Sequence, residues 1–333
     1  MKISHIFFKI FLIAAMVLSC SPKDRYITIT GHAQGGTYAV KLNLNGKDGM
    51  IQTRPEAIRD SIDAILLEID NTLSGYNKNS ILSRHNAGEN VQWNDMMTDI
   101  FAHAARFQTE TKGAVDVAAG PLFDLWGFGF KSGDFPSHEE IIKTKETSNL
   151  EYYILHEKGI LNFNAIAQGY SCDLVAEYLY SLGVKDMMVD IGEIFCDGHN
   201  PSGKPWSLGI DKPIDGNNEL GAQIQGIFRA PEGPHGIVTS GNYRKFYIKD
   251  GKKYSHTIDP RTGYPVTHNL LSATIVAGDA LAADAYATYC MVIGLEESKR
   301  FLESRSDLEG CLIYDEDGQF KTWCSEGFVL EEL

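Results

Sequence analysis

Apolar and polar residues alternate along the chain with two periods, which predict helices and strands in mixed order. Helical spacing predicts helices over 55–73 and 95–111, and strict alternation predicts a strand pair within 26–45. Residues 161–170 are predicted to be a strand that turns into a helix, which stops at Gly183. Further strands are expected over 187–195, 206–210, 271–276, 310–314 and 320–322. With no regular βαβ period and no internal repeat, the sequence predicts an α+β fold with a largely antiparallel sheet flanked by helices.

Two stretches lack a clear period. Small apolar residues mixed with Gly and Pro fill 113–129, and Asp116 stands alone among them. Burying a carboxylate without partners is costly, so Asp116 is expected to find hydrogen-bond donors or a cation. Residues 131–148 are charged and are expected to form an exposed loop.

The first 19 residues have the pattern of an export signal. Lys2 and Lys9 precede an apolar run that is too short to span a membrane and that ends in small residues before Cys20. A cysteine at this place resembles a bacterial lipobox. We therefore expect a signal peptide over 1–19, a tether over 20–26 with palmitate on Cys20, and a domain over 27–333 anchored to a bacterial membrane and facing the periplasm. A cleaved, soluble secreted form is the alternative.

Charge and cysteine content argue against several classes of function. The formal net charge of −14 and the lack of a basic patch argue against a nucleic-acid partner. Beyond Cys20 there are five cysteines and no C-x-x-C pair, so neither a zinc knuckle nor a complete disulfide framework is indicated. Cys311 and Cys324 fall on neighbouring predicted strands, and the sequence leaves open whether they pair.

The stretch 254–288 holds the densest candidate chemistry. Its first part is a turn, because Asp259-Pro260 starts one and Gly263 supplies a permissive backbone. His256 and Arg261 lie in this turn. Arg261 would either steady phosphates or pair with Asp259, and D-P-R-T-G is also the pattern of a plain surface turn.

The second part, 278–294, is predicted to be a helix. Asp284 and Thr288 are four residues apart and would share one face. Two oxygen ligands with room for water and phosphate suit Mg²⁺. A local hydrogen bond or a solvated helix face is the alternative.

Three other places suit a nucleotide. Gly35-Gly36 allows a close backbone approach or makes a simple hairpin turn. The corner at 161–170 would aim the N–H groups of a helix start at a phosphate. A strand and a hydroxyl-rich turn carry Ser240 and Arg244, and Arg244 has the same two options as Arg261.

Seven motifs, in this order, resemble those of the ApbE-type FAD:protein FMN transferase family, and they cover nearly the whole chain after the signal. They are G-T-Y at Gly36, L-S-x-Y-x-x-x-S-x-L-S-R at Leu73, G-A-x-D-x-x-x-G-P-L at Gly113, I-A-x-G-Y at Ile166, T-S-G-x-Y-R at Thr239, H-x-I-D-P-R-T-G-x-P at His256 and A-D-A-x-A-T at Ala283. The resemblance implies a compact α+β fold related to the T-fold. It also implies Mg²⁺-dependent cleavage of FAD, transfer of FMN to a Thr or Ser hydroxyl of another protein, and release of AMP.

The resemblance assigns the metal to Asp284, Thr288 and the backbone oxygen of Ala165. It places FAD against a set of residues spread along the chain, namely Gly35, Tyr76, Ala114, Val115, Asp116, Asn162, Gln168, Ser240, Arg244 and Ile258. We assign His256 and Asp284 to catalysis, with His256 as the base for the acceptor hydroxyl, because histidine titrates near neutral pH. A structural turn histidine is the alternative.

Three departures from the family pattern stand out. Asn162 occupies a common Asp position, Gln168 replaces a usual Lys or Glu, and the Gly-Gly-Glu pattern is one glycine short at Gly192. None of them removes Asp284 and Thr288.

The resemblance also implies a partner. The acceptor would be an exported flavin-carrying subunit of an Rnf-type or Na⁺-pumping complex. Two other functions remain open from the sequence: an FAD pyrophosphatase that yields FMN and AMP, and an FAD-binding lipoprotein without turnover.

Overall fold

The computed structural model describes residues 25–129, 135–214, 223–242, 246–249 and 252–332. The expected signal peptide, Cys20 and Arg244 lie outside these ranges. Within them, no helix combines the length and the apolar character needed to cross a bilayer.

An eight-stranded sheet forms the centre of the molecule, and each neighbouring pair of its strands is antiparallel. In spatial order its strands are β1 (Tyr26–Ala33), β2 (Gly36–Asn43), β5 (Met187–Asp190), β6 (Ile194–Asp197), β9 (His235–Gly241), β14 (Leu270–Ala277), β15 (Glu309–Glu316) and β16 (Gln319–Cys324). Together with the helices around it, this sheet confirms the predicted α+β class.

Among the described residues, four smaller β units accompany the sheet. One has three strands in the order β17 (Leu330–Glu332), β8 (Ile224–Arg229) and β7 (Ser207–Asp211). The others are two-stranded: β3 (Asn45–Gly46) with β4 (Gly49–Met50), β10 (Phe246–Lys249) with β11 (Lys252–Ser255), and β12 (Ile258–Asp259) with β13 (Tyr264–Pro265).

The helices of the described residues are α1 (Pro55–Leu73), α2 (Ile81–Asn86), α3 (Asp95–Glu110), α4 (Gly120–Leu125), α5 (His138–Thr147), α6 (Leu150–His156), α7 (Ala167–Ser181), α8 (Ala280–Ile293) and α9 (Leu295–Glu303). Helix α1 shows why the apolar period predicted them. Pro55 opens it, where a missing N–H costs nothing, and one face with Ile58, Ile62, Leu66 and Ile69 is buried.

The two faces of the sheet carry different cores. Along β14 and β15, Ile275 and Leu312 belong to the large core shared with α1, α3, α7 and α8. Their neighbours Val276 and Ile313 point to a second core under the three-stranded sheet. This alternation is the period of two expected of a sheet buried on both faces. A third, small cluster around Trp126 joins α4, α5 and β12.

The predicted loop over 131–148 is wrong for most of its length, because His138–Thr147 forms α5. Ser137 and Glu140 make a reciprocal capping box that starts this helix. The charged residues cover the outside, and Ile141 is buried in the small cluster.

The strand predicted at the start of 161–170 is also absent. The side chain of Asn86 takes the place of a neighbouring strand, since its Oδ1 accepts from the N–H of Leu161 at 2.9 Å and its Nδ2 donates to the carbonyl of Leu161 at 2.8 Å. The run is apolar because Leu161 and Phe163 are buried.

The single strand predicted over 187–195 is two strands, β5 and β6, paired with each other. The chain reverses at Gly192, whose φ of +95° is open to glycine but strained for other residues. The reversal falls at Gly192-Glu193, near which the predicted strand was expected to end.

Candidate active site

Two carboxylates satisfy the N-terminus of α8. Asp279 caps the helix by accepting from the N–H of Ala282 at 2.6 Å. Asp173, on α7, accepts from the N–H groups of Ala280 and Leu281, both at 2.8 Å. Burial raises the pKa of Asp173 to about 7, although these two hydrogen bonds oppose the rise. Negative charge here complements the helix dipole, so α8 is fixed in position at this end.

Asp284 lies one turn further along α8 and is buried. The N–H of Gly169 donates to its Oδ2 at 3.1 Å and is the one hydrogen-bond donor to this carboxylate among the described residues. Burial raises the pKa of Asp284 well above its usual range, the Gly169 hydrogen bond lowers it, and the charge of Asp173 raises it further. A buried carboxylate with so little compensation is stabilised in its charged form by a cation.

Glycines let the neighbouring elements approach α8 this closely. A Cβ on Gly169 would lie 2.2 Å from the carbonyl oxygen of Ala280 and 2.9 Å from Cβ of Asp284. A Cβ on Gly236, in β9, would lie 2.3 Å from the nitrogen of Ala280. The start of α8 is therefore held between α7 and the central sheet.

Thr288 and Ala165 are the other two predicted metal ligands. Thr288 is one turn beyond Asp284 on α8 and is half-buried. Ala165 lies in the turn that leads into α7, the same helix start whose Gly169 binds Asp284. A carboxylate, a hydroxyl and a backbone carbonyl are all hard oxygen donors, as Mg²⁺ prefers. Residues Asp284, Thr288 and Ala165 thus fit this ion by their chemistry. The described part of the chain contains no group of three or more His, Cys, Asp or Glu suited to a metal ion.

Gln168 connects the start of α7 to the loop between β5 and β6. Its Nε2 donates to the carbonyl of Ile191 at 3.3 Å. A Cβ on Gly192 would lie 2.6 Å from that nitrogen and would displace the Gln168 amide, and the positive φ of Gly192 favours glycine here. Gln168 therefore holds the loop whose pattern departs from the family.

The predicted glycine turn between β1 and β2 lies against the same helix. Gln34 Nε2 donates to Ser171 Oγ at 2.5 Å. Gly35 follows with a φ of +81° and is exposed. The structure therefore shows a hairpin turn, and it places the turn beside the first turns of α7.

The turn with His256 is well ordered by its own hydrogen bonds. Asp259 accepts from the N–H of Gly263 at 2.8 Å through its carbonyl, and its carboxylate binds Arg261 through two 2.9 Å contacts. Arg261 therefore pairs with Asp259, one of the two options left by the sequence. Half-buried His256 packs edge-on against the ring of Phe128, with centroids 6.4 Å apart.

This turn lies close to α8 and to the segment around Asp116. Burial raises the pKa of Tyr289 on α8, and the charge of Arg261 opposes the rise. On the other side, a Cβ on Gly113 would lie 3.9 Å from Cγ of Arg261. The motifs at 113, 256 and 283 thus meet around one arginine.

Asp116 is satisfied by backbone groups. Its two carboxylate oxygens accept from the N–H of Ala118 at 2.8 Å and the N–H of Leu150 at 3.0 Å. Burial raises its pKa, and both hydrogen bonds oppose this. The N–H donors expected for this residue are therefore present. The adjacent Val117 accepts from the N–H of Asn162 at 2.7 Å, which joins this segment to the run before α7.

The remaining predicted residues differ in how they are placed. Tyr76 is 73% exposed, in a loop after α1. Ser240 is half-buried in β9, opposite Ala273. The side chain of Ile258 is buried in the small cluster with Trp126, so only its backbone is available to a ligand. Ala114 and Val115 are likewise buried.

The chain is similar in sequence and in fold to known proteins. The ApbE family model matches residues 35–312 of the chain. The chain belongs to the ApbE family. Its curated ApbE relatives include the FAD:protein FMN transferase of Escherichia coli K12, 34% identical over 298 residues, covering 84% of this chain and 83% of the relative. That of Haemophilus influenzae is 33% identical over 338 residues, covering 94% of each.

Solved ApbE structures share the fold over almost the whole chain. The flavin transferase ApbE from Vibrio cholerae aligns with a TM-score of 0.76 at 30% identity, covering 91% of this chain and 98% of that one. The apo form of the Pseudomonas stutzeri flavinyl transferase ApbE gives a TM-score of 0.78 at 30% identity, covering 92% and 97%. The family membership and the fold predicted from the motifs are confirmed.

Sequence reasoning missed two residues that shape this ApbE site. The sequence pattern predicts Asp173 only as part of a helix, and nothing local separates it from Glu177 in the same helix. Gly169 was part of a motif without a role, and its function is to let α7 reach Asp284. The predicted ligand roles themselves remain predictions.

Proposed function

We propose that the chain catalyses Mg²⁺-dependent transfer of FMN from FAD to a Thr or Ser hydroxyl of an acceptor protein, with release of AMP. The observation that carries the proposal is the buried carboxylate of Asp284, reached by one N–H from α7 and set where the family motifs meet. Relatives that bear the name FAD:protein FMN transferase match over most of their length.

The reaction is a displacement at phosphorus. The acceptor hydroxyl oxygen forms a bond to the FMN phosphorus, the bond from that phosphorus to the bridging oxygen breaks, and AMP leaves with the bridging oxygen. The hydroxyl proton passes to a base, for which His256 is the candidate. Its half-buried ring lies on the turn next to α8, and imidazole accepts a proton near neutral pH.

Asp284, Thr288 and the carbonyl of Ala165 would hold the ion. When bound, Mg²⁺ would neutralise pyrophosphate charge and so favour attack on the phosphorus. Arg261 is less suited to that task because its guanidinium is already bound to both oxygens of Asp259.

The cellular setting is part of the proposal. An export signal and a lipid anchor on Cys20 would place the domain outside the cytoplasm, facing the periplasm. Acceptors there would be flavin-carrying subunits of Rnf-type or Na⁺-pumping complexes. The negative net charge is compatible with a protein acceptor and argues against nucleic acid.

The test follows AMP and protein-bound flavin in one reaction. The full chain in mild detergent is mixed with FAD, Mg²⁺ or a chelator, and an acceptor subunit of an Rnf-type complex. A matched acceptor carries Val in place of its Thr. We expect AMP and a fluorescent band that survives denaturation, both requiring Mg²⁺ and the Thr.

Other outcomes identify the competing functions. AMP and free FMN in equal amounts with either acceptor would indicate a pyrophosphatase. Tight FAD binding without AMP would indicate a flavin-binding protein without turnover.

A further inference from the structure

Two cysteines lie directly opposite each other at the edge of the large sheet. In the antiparallel pairing of β15 with edge strand β16, Cys311 is the partner of Cys324. Both carry reduced thiols in the structure. Side chains opposite each other on neighbouring strands point to the same face, so the two sulfurs face the same core. Cys311 belongs to that core, and Cys324 packs against it.

The hydrogen bonds of the ladder show which kind of cross-strand pair the two cysteines form. The N–H of Ser325 donates to the carbonyl of Gly310 at 2.9 Å, and the N–H of Gly310 donates to Ser325 Oγ at 2.9 Å, so these two residues occupy a hydrogen-bonded position of the ladder. Pairs alternate along an antiparallel ladder, so Cys311 and Cys324 form a non-hydrogen-bonded pair. At such positions Cα atoms are about 4.5 Å apart, within the range of roughly 4.4–6.8 Å that disulfides span.

We propose that Cys311 and Cys324 form a cross-strand disulfide when the protein meets a small-molecule disulfide oxidant. The reaction is thiol–disulfide exchange and it balances. The Cys324 thiolate attacks the small disulfide, which gives a mixed disulfide and releases one thiol. The Cys311 thiolate then displaces the second thiol. The two cysteines lose two protons and two electrons, and the small disulfide gains them as two thiols.

The order of the two steps follows from exposure. Cys324 is half-exposed at the sheet edge, and Cys311 is fully buried. The hydrogen bond with Cys324, together with burial, raises the pKa of Cys311, so its thiolate is scarce. The oxidant therefore reacts first with Cys324, and the buried thiol closes the bond.

The other described cysteines are not placed to compete. Cys172 and Cys290 lie on α7 and α8 in the large core, on the opposite face of the sheet. Cys196 shares the core of Cys311 but lies on β6, three strands away from β15. At about 4.8 Å per strand that is roughly 14 Å, beyond the reach of a disulfide.

The bond would hold in place the segment that leads from the eight-stranded sheet to the three-stranded sheet. Directly after Cys324, Ser325 starts a turn, and Phe328 stacks on Phe228 with ring centroids 4.1 Å apart. The chain then enters β17, which pairs with β8 of the three-stranded sheet. A link at Cys324 ties both the edge strand and this C-terminal segment to β15, and so limits fraying of an edge that is otherwise paired on one side.

The test is a peptide map of the full chain after treatment with oxidised glutathione. Lys321 lies between the two cysteines, so trypsin yields peptides 306–321 and 322–333. We expect them to run as one species that separates on reduction, and to remain apart in Cys324→Ala. Recovery of both peptides with alkylated or glutathionylated cysteines, or a link from Cys311 to Cys196, would overturn the proposal.

Thermal unfolding gives a second readout. Oxidation of the wild-type chain should raise Tm by about 5 °C, as expected for closing a loop of this size in a domain of this length. The rise should persist in Cys196→Ala, which removes a cysteine from the same core, and vanish in Cys324→Ala. An equal rise in all three proteins would contradict the assignment.

Discussion

The backbone N–H of Gly169, in the first turn of α7, donates a 3.1 Å hydrogen bond to the carboxylate of Asp284 on α8. This contact joins residues 115 positions apart in the chain and depends on the absence of a side chain at Gly169. It ties the expected metal ligand on α8 to the turn that contains Ala165. The site is therefore a property of how two helices pack.

Replacing Gly169 with Ala should separate these helices. The added Cβ would lie 2.2 Å from the backbone oxygen of Ala280, which cannot move without shifting the start of α8. We expect a loss of roughly 1–3 kcal/mol in the free energy of unfolding, measured in urea, and a rise in the Mg²⁺ concentration needed for half-maximal AMP release. Gly278→Ala is the control, because a Cβ there meets nothing within 4 Å. Equal effects of the two variants would refute the packing argument.

Asp284→Asn should lower activity without lowering stability. The substitution keeps the shape of the side chain and an acceptor for the Gly169 N–H but removes a buried charge. The free energy of unfolding should therefore stay the same or rise slightly. AMP release with Mg²⁺ should fall by about 100-fold or more, since a neutral oxygen binds a hard cation poorly. Wild-type AMP release would show that Asp284 is not a ligand.

Asp173 should act by positioning α8. Asp173→Ala leaves the N–H groups of Ala280 and Leu281 without their acceptor and should cost about 1–3 kcal/mol of stability. Asp173→Asn keeps one acceptor oxygen and should recover part of that loss. The Mg²⁺ concentration needed for half-maximal rate should rise in the same order as the stability loss. An unchanged requirement for Mg²⁺ in both variants would limit Asp173 to a structural role.

His256→Ala tests the proposed base. AMP release in the presence of acceptor should fall about 10²–10⁴-fold, while FAD binding, measured by flavin fluorescence, stays near the wild-type value. A histidine that only orders the turn would behave differently. In that case FAD binding and Tm would fall together with activity, because the ring packs on Phe128.

His85 should make the fold sensitive to acid. Its Nε2 lies 2.7 Å from the hydroxyl of Tyr153, and Trp93 donates to its Nδ1, so the ring is held neutral. Burial lowers the pKa of His85, so below the ordinary value near 6.5 the unfolded chain binds this proton and the folded chain does not. The contribution of His85 to stability is therefore full above that pH and is lost as the pH falls towards 5.

Urea unfolding at pH 7.5 and pH 5.5 measures this dependence. The decline should be smaller in His85→Gln, which cannot be protonated. His156→Gln, at an exposed position on α6, should retain the wild-type decline. Identical pH dependence in all three proteins would exclude His85 as the source.

The motifs led to the right family and fold because they are local patterns in a fixed order. The hairpin at Gly35, the helix from Pro55 to Leu73 and the turn at Asp259 all appear where they were predicted. Prediction was wrong where a local pattern had a distant partner. The run at Leu161 looked like a strand, but Asn86 satisfies its backbone from another part of the chain.

By itself, the sequence determined that Asp284 and Thr288 share a helix face, because helical pitch sets the direction of residues four apart. It also determined that His256 lies in a tight turn next to Asp259 and Arg261. Only the tertiary structure decided that Asp284 is buried against the N–H of Gly169, that Asp173 holds the start of α8, and that Cys311 faces Cys324. Periodicity is fixed by the backbone angles of neighbouring residues. Burial, charge balance and strand register depend on segments that are distant in the chain and meet only when the sheet and its helices assemble.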